Sequence, residues 1–241
     1  MSRSYSAFFY GTLMHPAILR RVIGHEGSQL TSCPAVLLEH TRHKIQNADY
    51  PAVIPYSKSR SLFLDSGRGE LSPEERTVRG TFVQGLNDSD VALLDLFEGN
   101  EYTRDIVGVH PLGPLTPLSA TTGPTSAPAD AATDEYVVPR VAPELPPLNA
   151  LGPSVPAHTY IHAGALSELS PELWSYADFV RESAWKWVGA DPVNEEYYAE
   201  VDKRKALDGQ TLRTAIVDVP TEGADAKGDG RTVVAVVGGA V

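Results

Sequence analysis

The spacing of apolar positions changes along the chain, and the changes mark out its elements. Ala7-Phe8-Phe9 is a continuous apolar run that predicts a short buried strand, and Tyr10-Gly11-Thr12-Leu13 reads as the tight turn that ends it. From Pro16 the apolar residues fall at Ile18, Leu19, Val22 and Ile23, the spacing of one helical face, with proline at a first position that needs no N–H. Ala35 to Glu39 and His43 to Gln46 suggest a strand pair. Tyr50-Pro51-Ala52-Val53-Ile54 suggests another extended segment, because the residue before a proline is pushed toward β geometry. Ser72-Pro73-Glu74-Glu75 carries the S-x-x-E capping pattern, and Val78 to Gly85 reads as a strand with glycine near both ends. Asn87-Asp88-Ser89-Asp90 then supplies caps for a helix. Its apolar positions are Val91, Leu93, Leu94, Leu96 and Phe97, and Gly99 closes it.

Residues 111–156 break this pattern. They hold eleven of the nineteen prolines among Ala, Thr and Ser, a composition unsuited to ladders or helix, and predict a surface insertion. A period-2 strand returns at Ala157 to His162. Ser170-Pro171-Glu172 looks like a helix start, followed by Leu173, Ala177, Val180, Ala184 and Val188 at helical spacing up to Gly189. A second helix is expected from about 194 to 206. The tail holds two β-prone stretches, Thr211 to Val219 and Thr232 to Val237, readable as a peripheral hairpin or as largely unstructured chain. Many short strands, few helices and no β–α–β period favour an α+β class. A small, partly closed barrel with flanking helices would remove exposed sheet edges. The expected organisation is one domain over 1–206, interrupted at 111–156, with a C-terminal extension at 207–241.

Composition narrows the function. The 241 residues carry 31 acidic against 20 basic side chains, a net charge of −11, which argues against a nucleic-acid partner. Lys203-Arg204-Lys205, the one basic triplet, fits the solvated end of a helix. The single cysteine, Cys33, excludes an internal disulfide or cysteine-rich zinc site and reads as a buried thiol. Neither a signal-peptide pattern nor an apolar stretch of about twenty residues is present, so a soluble cytoplasmic protein is expected. Asn87-Asp88-Ser89 fits a glycosylation sequon but reads better as a helix cap. His40 with His43, and His158 with His162, lack the acidic or cysteine companions of a metal site and read as structural or exposed. Trp174, Trp185 and Trp187 fit packing of the late helix onto the barrel, or a partner surface where exposed.

Two features carry candidate chemistry. A strand followed by a glycine-containing turn and a helix N-terminus offers backbone N–H groups to a carboxylate or a developing oxyanion, although an ordinary β–α connection has the same outline. Glu98 falls at the last turn of its helix, facing the negative end of the dipole at a cost of about 0.3–1 kcal/mol. Partial burial beside Phe97 would further favour its proton-accepting form near neutral pH, and Asp95 three residues earlier would act in the same direction if close. A solvated surface glutamate is the plain alternative.

The ordered set decides between these. Tyr10-Gly11-Thr12-Leu13, Tyr50-Pro51-Ala52, the Gly80 to Gly85 strand and Leu94-Asp95-Leu96-Phe97-Glu98-Gly99-Asn100-Glu101-Tyr102-Thr103-Arg104 occur in that order. Together they resemble the gamma-glutamylcyclotransferase-like family, in particular its AIG2-like branch, over residues 5 to 110 and again at about 157 to 190. The resemblance implies a small mixed β-barrel with peripheral helices. It also implies a cofactor-independent enzyme, without a metal, whose substrate is a small γ-glutamyl amine or peptide. The substrate's α-amino group attacks its own γ-carbonyl to give 5-oxoproline and a free amine. In that pattern Glu98 matches the proton acceptor, and Tyr10, Gly11, Thr12, Leu13, Met14 and His15 match the substrate-binding segment. Tyr102 would orient Glu98, Arg104 shares its strand face, and Glu101, beyond Gly99, ranks below Glu98 as base. A non-catalytic module on the same scaffold, binding a small ligand or a protein, is the alternative, and an isopeptide lysine is one possible leaving group. Leaving group and oligomeric state are left open by the sequence.

Overall fold

The period-2 pattern of the strands resolves into two layers of contact, one facing inward and one facing outward. In the computed structural model, which describes residues 3–118, 145–182, 212–218 and 231–237, five strands close a mixed barrel. They are β1 (Tyr5–Phe9), β2 (Thr31–Leu38), β5 (Thr77–Leu86), β6 (Tyr102–Pro111) and β8 (Val155–His162). The order is β5-β1-β8-β6-β2, and a β2–β5 pairing closes the ring. β1 and β8 run parallel and the remaining pairs antiparallel. The short β7 (Thr116–Pro117) adds to β2 outside the ring. The class is α+β, with a mixed barrel and peripheral helices.

Alternate residues fill the lumen: Phe8 and Tyr10 from the β1 end, Cys33, Ala35 and Leu37 from β2, Val78 and Phe82 from β5, Ala157 and Ile161 from β8. Gly80 makes room there, since a Cβ would lie 2.6 Å from Phe8 Cζ and 2.3 Å from the Phe9 carbonyl. The outward side of the same strands, with Phe9, Val83 and Leu86, packs beneath α1 (Pro16–Ile23) and α3 (Asp88–Glu98). Those helices contribute Ile18, Leu19, Val22, Leu94 and Phe97. Asn87 caps α3 through its side chain and forms the reciprocal capping box with Asp90. The Ser72–Glu75 pattern is formed as well and closes a turn.

Two expectations are corrected and one element is added. The residues read as a strand pair after Ala35 do not pair. β2 stays in the barrel, whereas β3 (His40–Ile45) joins β4 (Pro51–Pro55) and β9 (Leu169–Leu173) in a separate sheet of order β4-β3-β9. The chain leaves the barrel at Glu39, whose φ of 55° turns it between sheets. Ser170-Pro171-Glu172 opens no helix; it lies within edge strand β9, where proline's missing N–H costs no ladder bond. The helix begins later, as α4 (Tyr176–Glu182). Finally, α2 (Tyr56–Asp65) has no counterpart in the apolar pattern. Trp174 is buried just before α4, its indole N–H donating to the Asp49 carbonyl. The tail adopts the hairpin alternative, β10 (Leu212–Asp218) against β11 (Arg231–Val237). Trp185, Trp187, the expected helix at 194–206, the basic triplet and most of the 111–156 insertion lie outside the described residues.

Candidate active site

A cavity of about 360 Å³, its open mouth included, lies where β1 runs out at the end of the barrel. Phe8 and Phe9 close its floor, and the chain from Tyr10 to Leu13 forms one wall. Local structure explains that wall. The β1–β5 ladder stops at Phe9 opposite Thr81, and the chain then winds into a 3-10 turn over Thr12–Met14. That turn uses the amides of Met14 and His15, which donate to the carbonyls of Gly11 and Thr12 at 3.0 Å each. The amides of Gly11, Thr12 and Leu13 meet no protein acceptor among the described residues. Glycine is required at 11 by a close approach: a Cβ there would lie 2.9 Å from Cγ of Pro51, which lines the same cavity.

Met14 and His15, expected to bind substrate, do not line the cavity. Met14 packs against the outer core. His15 is 2 % exposed and caps α1, its Nδ1 accepting from the Ala17 amide at 3.2 Å. Burial lowers its pKa to about 4, so at neutral pH the ring keeps the lone pair that the cap needs.

Glu98 lines the same cavity as the loop. It is the last residue of α3, half-buried, and Gly99 turns the chain away at a φ of 65° that side chains disfavour. Among the described residues lining the cavity it is the one carboxylate. Three phenols surround it. Burial, then the charge of Glu98, raises the pKa of Tyr10 and of Tyr160. Burial, neighbouring tyrosines and then Glu98 do the same for Tyr102. All three therefore remain protonated donors at neutral pH. Their hydroxyls are directed at fixed acceptors: Tyr10 at the Tyr160 carbonyl, Tyr102 at the Pro51 carbonyl (2.9 Å), and Tyr160 at Asp95 Oδ1 (2.9 Å).

The remaining candidates divide cleanly. Tyr102 lines the cavity and braces Tyr50-Pro51 through its bond to Pro51. Arg104 lies outside it, with Nε 2.8 Å from Asp95 Oδ1, so Asp95 is held by both Arg104 and Tyr160. Glu101 is buried behind the wall and accepts from the Tyr50 hydroxyl at 2.8 Å. His43 is fixed by Thr41 and the Ser170 carbonyl, and His162 packs edge-on to Tyr102. Phe8, Phe9, Tyr50, Pro51 and Tyr160 belong to the site but were not singled out from sequence. The sequence carries a signal for three of them. Tyr50-Pro51 was marked as extended chain, and period 2 puts Tyr160 on the face shared by His158 and His162.

The profile of the family described as Gamma-glutamyl cyclotransferase, AIG2-like, matches residues 7–122. Protein AIG2 C of Arabidopsis thaliana is 27 % identical over 107 residues, covering 44 % of this chain; the match spans about half (53 %) of that relative. Among solved structures, an Arabidopsis thaliana protein determined in solution is 18 % identical, with a TM-score of 0.40 over 95 % of this chain and 99 % of its own. A yeast gamma glutamyl cyclotransferase specific to glutathione is 14 % identical, with a TM-score of 0.41 over 85 % of this chain and 98 % of its own. The matched segment, residues 7–122, is just under half of the chain and holds the cavity loop and Glu98, so over that stretch the chain is similar to the gamma-glutamyl cyclotransferase, AIG2-like, family.

Proposed function

We propose that the protein is a γ-glutamyl cyclotransferase that closes the γ-glutamyl group of a small amine or peptide into 5-oxoproline. The single observation supporting this reading is the placement of Glu98 and the unpaired amides of Gly11, Thr12 and Leu13 on one cavity. The reaction needs one base, one anion cradle and a curled substrate. The substrate's α-ammonium gives a proton to Glu98, and the freed nitrogen attacks the γ-carbonyl carbon. The resulting oxyanion is stabilised by the loop amides, backed by the N-terminus of α1. As the tetrahedral intermediate collapses, Glu98 returns its proton to the departing nitrogen and the C–N bond to the leaving amine breaks. Glu98 then takes the second proton from the ring nitrogen and passes it to the freed amine, which leaves as an ammonium. Atoms and protons balance without a co-reactant. Holding the glutamyl arm curled against Phe8, Phe9 and the tyrosine ring faces supplies rate through proximity.

The test is release of 5-oxoproline from a panel of γ-glutamyl amines, γ-glutamyl peptides and γ-glutamyl-lysine isopeptide. Glu98→Gln is expected to lower turnover of the best substrate by roughly 10²–10⁴-fold, the range for a lost general base. A variant keeping most of the wild-type rate overturns the assignment. A wild type that binds these compounds without turnover favours the binding-module alternative.

A further inference from the structure

Arg42, on β3, reaches out of its own sheet to the cavity loop. Its Nη1 donates to the Tyr10 carbonyl at 2.6 Å and to the Arg79 carbonyl at 3.2 Å. These two acceptors sit just past the last β1–β5 pair, Phe9 with Thr81: Tyr10 one residue beyond Phe9 and Arg79 two beyond Thr81. The guanidinium thus replaces the next rung. Its other face lies 5.0 Å from the centroid of the buried Trp174 ring. Burial lowers its pKa to about 10, which leaves it cationic at neutral pH. No salt bridge to a carboxylate is formed among the described residues, so the charge is directed at main-chain oxygens.

The consequence follows from peptide geometry. A trans peptide is planar, with its C=O and N–H pointing in opposite directions. Arg42 holds the oxygen of the Tyr10–Gly11 peptide from outside the cavity, whereas Gly11 lines it. The N–H of the same unit, on Gly11, is then turned to the cavity side, where it meets no protein acceptor among the described residues. A charged donor on the carbonyl also polarises the peptide and strengthens its N–H as a donor. We propose that Arg42 is a positioning residue, locking the Tyr10–Gly11 peptide so that the Gly11 amide serves as an anion donor in the cavity. This rests on the cyclotransferase reading for its catalytic consequence, though not for the grip itself.

Two measurements separate those parts. In ¹⁵N-labelled protein, the Gly11 nitrogen shift responds to hydrogen bonding at the preceding carbonyl. Arg42→Met keeps the stem on Trp174 but removes both donors, and should move the Gly11 resonance upfield, whereas Arg42→Lys should restore part of the shift. An unmoved Gly11 resonance in a folded Arg42→Met protein overturns the proposal whether or not the protein is an enzyme. In the 5-oxoproline assay, Arg42→Met should lower kcat by about tenfold, less than the roughly 10²–10³ seen when an oxyanion donor itself is removed, with KM changing less than kcat. Arg42→Lys should recover part of that loss. A kcat within twofold of wild type, with near-UV circular dichroism confirming native packing, also overturns it. If the wild type itself releases no 5-oxoproline, the functional reading fails, and the Gly11 shift alone decides for or against the grip.

Discussion

The hydroxyl of Tyr160 donates to Asp95 Oδ1 at 2.9 Å, and Arg104 approaches the same oxygen at 2.8 Å from the neighbouring strand. This ties strand β8, strand β6 and helix α3 together beside Glu98, with the aromatic ring of Tyr160 on the cavity wall. Asp95 is partly solvated, its side chain 42 % exposed, so the pair holds geometry more than it stores energy. Tyr160→Phe should therefore cost only about 1 kcal/mol in urea unfolding, the worth of one such hydrogen bond. Turnover should fall more than stability, because the ring loses its anchor at the cavity edge. Equal losses in a stability-corrected assay would mean that the hydroxyl matters only for folding.

Glu98 stands at the unfavourable end of α3, with three buried phenols around it. Removing its charge relieves the dipole term of about 0.3–1 kcal/mol. Glu98→Gln is accordingly expected to leave thermal stability unchanged or raise it slightly while lowering turnover by roughly 10²–10⁴-fold. A marked drop in melting temperature would show that the carboxylate supports the fold, and the activity loss could then not be assigned to proton transfer.

The elements that the sequence disclosed are those with strong local signatures. Strand β1, the Pro16 helix start and the capped α3 were legible because apolar period, cap and terminating glycine agree at each. Glu98 at a helix end and the Gly11 turn could be located on the chain in the same way. Helix α2 was not legible: its buried face is Tyr56, Ser59 and Phe63, and the buried Ser59 hydroxyl is satisfied by Thr41 at 2.6 Å, so one of the three buried positions reads as polar. Ser170 misled for a related reason. Its hydroxyl does accept from the Glu172 amide at 3.1 Å, as a cap would, but pairing of Leu169 and Leu173 with β3 decides the conformation. Tyr50 and Tyr160 could be placed on extended chain but not at the cavity, and Arg42 carries no local signal at all, because only closure of the barrel and the second sheet brings the three to the loop.

Gly11 touches Pro51 so closely that even one methyl group must displace it, with Pro51 Cγ and Cδ at 2.9 and 3.0 Å from a built Cβ. Pro51 is held in turn by the Tyr102 hydroxyl on its carbonyl. Gly11→Ala should cost about 1–3 kcal/mol, the usual range for overpacking. It should also lower kcat/KM by more than tenfold, since the displaced segment carries the cavity amides. Recovery of activity on adding Pro51→Ala, which removes the ring atoms in contact, would locate the fault in that contact. Wild-type kinetics in the single variant would exclude the loop from the site.

His15 gives the fold an acid limit. Its pKa falls from the ordinary 6.5 to about 4 on burial, so between these values the unfolded chain binds the proton and the folded chain does not. Stability thus rises with pH across that window; the contribution is complete above about 6.5 and is lost as pH drops toward 4. At 1.36 kcal/mol per unit the difference amounts to about 3 kcal/mol at most. Protonation would also remove the lone pair that accepts from the Ala17 amide, uncapping α1 next to the cavity loop. His15→Asn keeps a capping oxygen but no titratable ring. It should unfold at urea midpoints closer together at pH 5 and pH 7.5 than wild type does. His40, His43 and His158 are also lowered by burial and will retain part of the slope. An unchanged slope in His15→Asn would place the acid sensitivity in those three residues and remove His15 from the account.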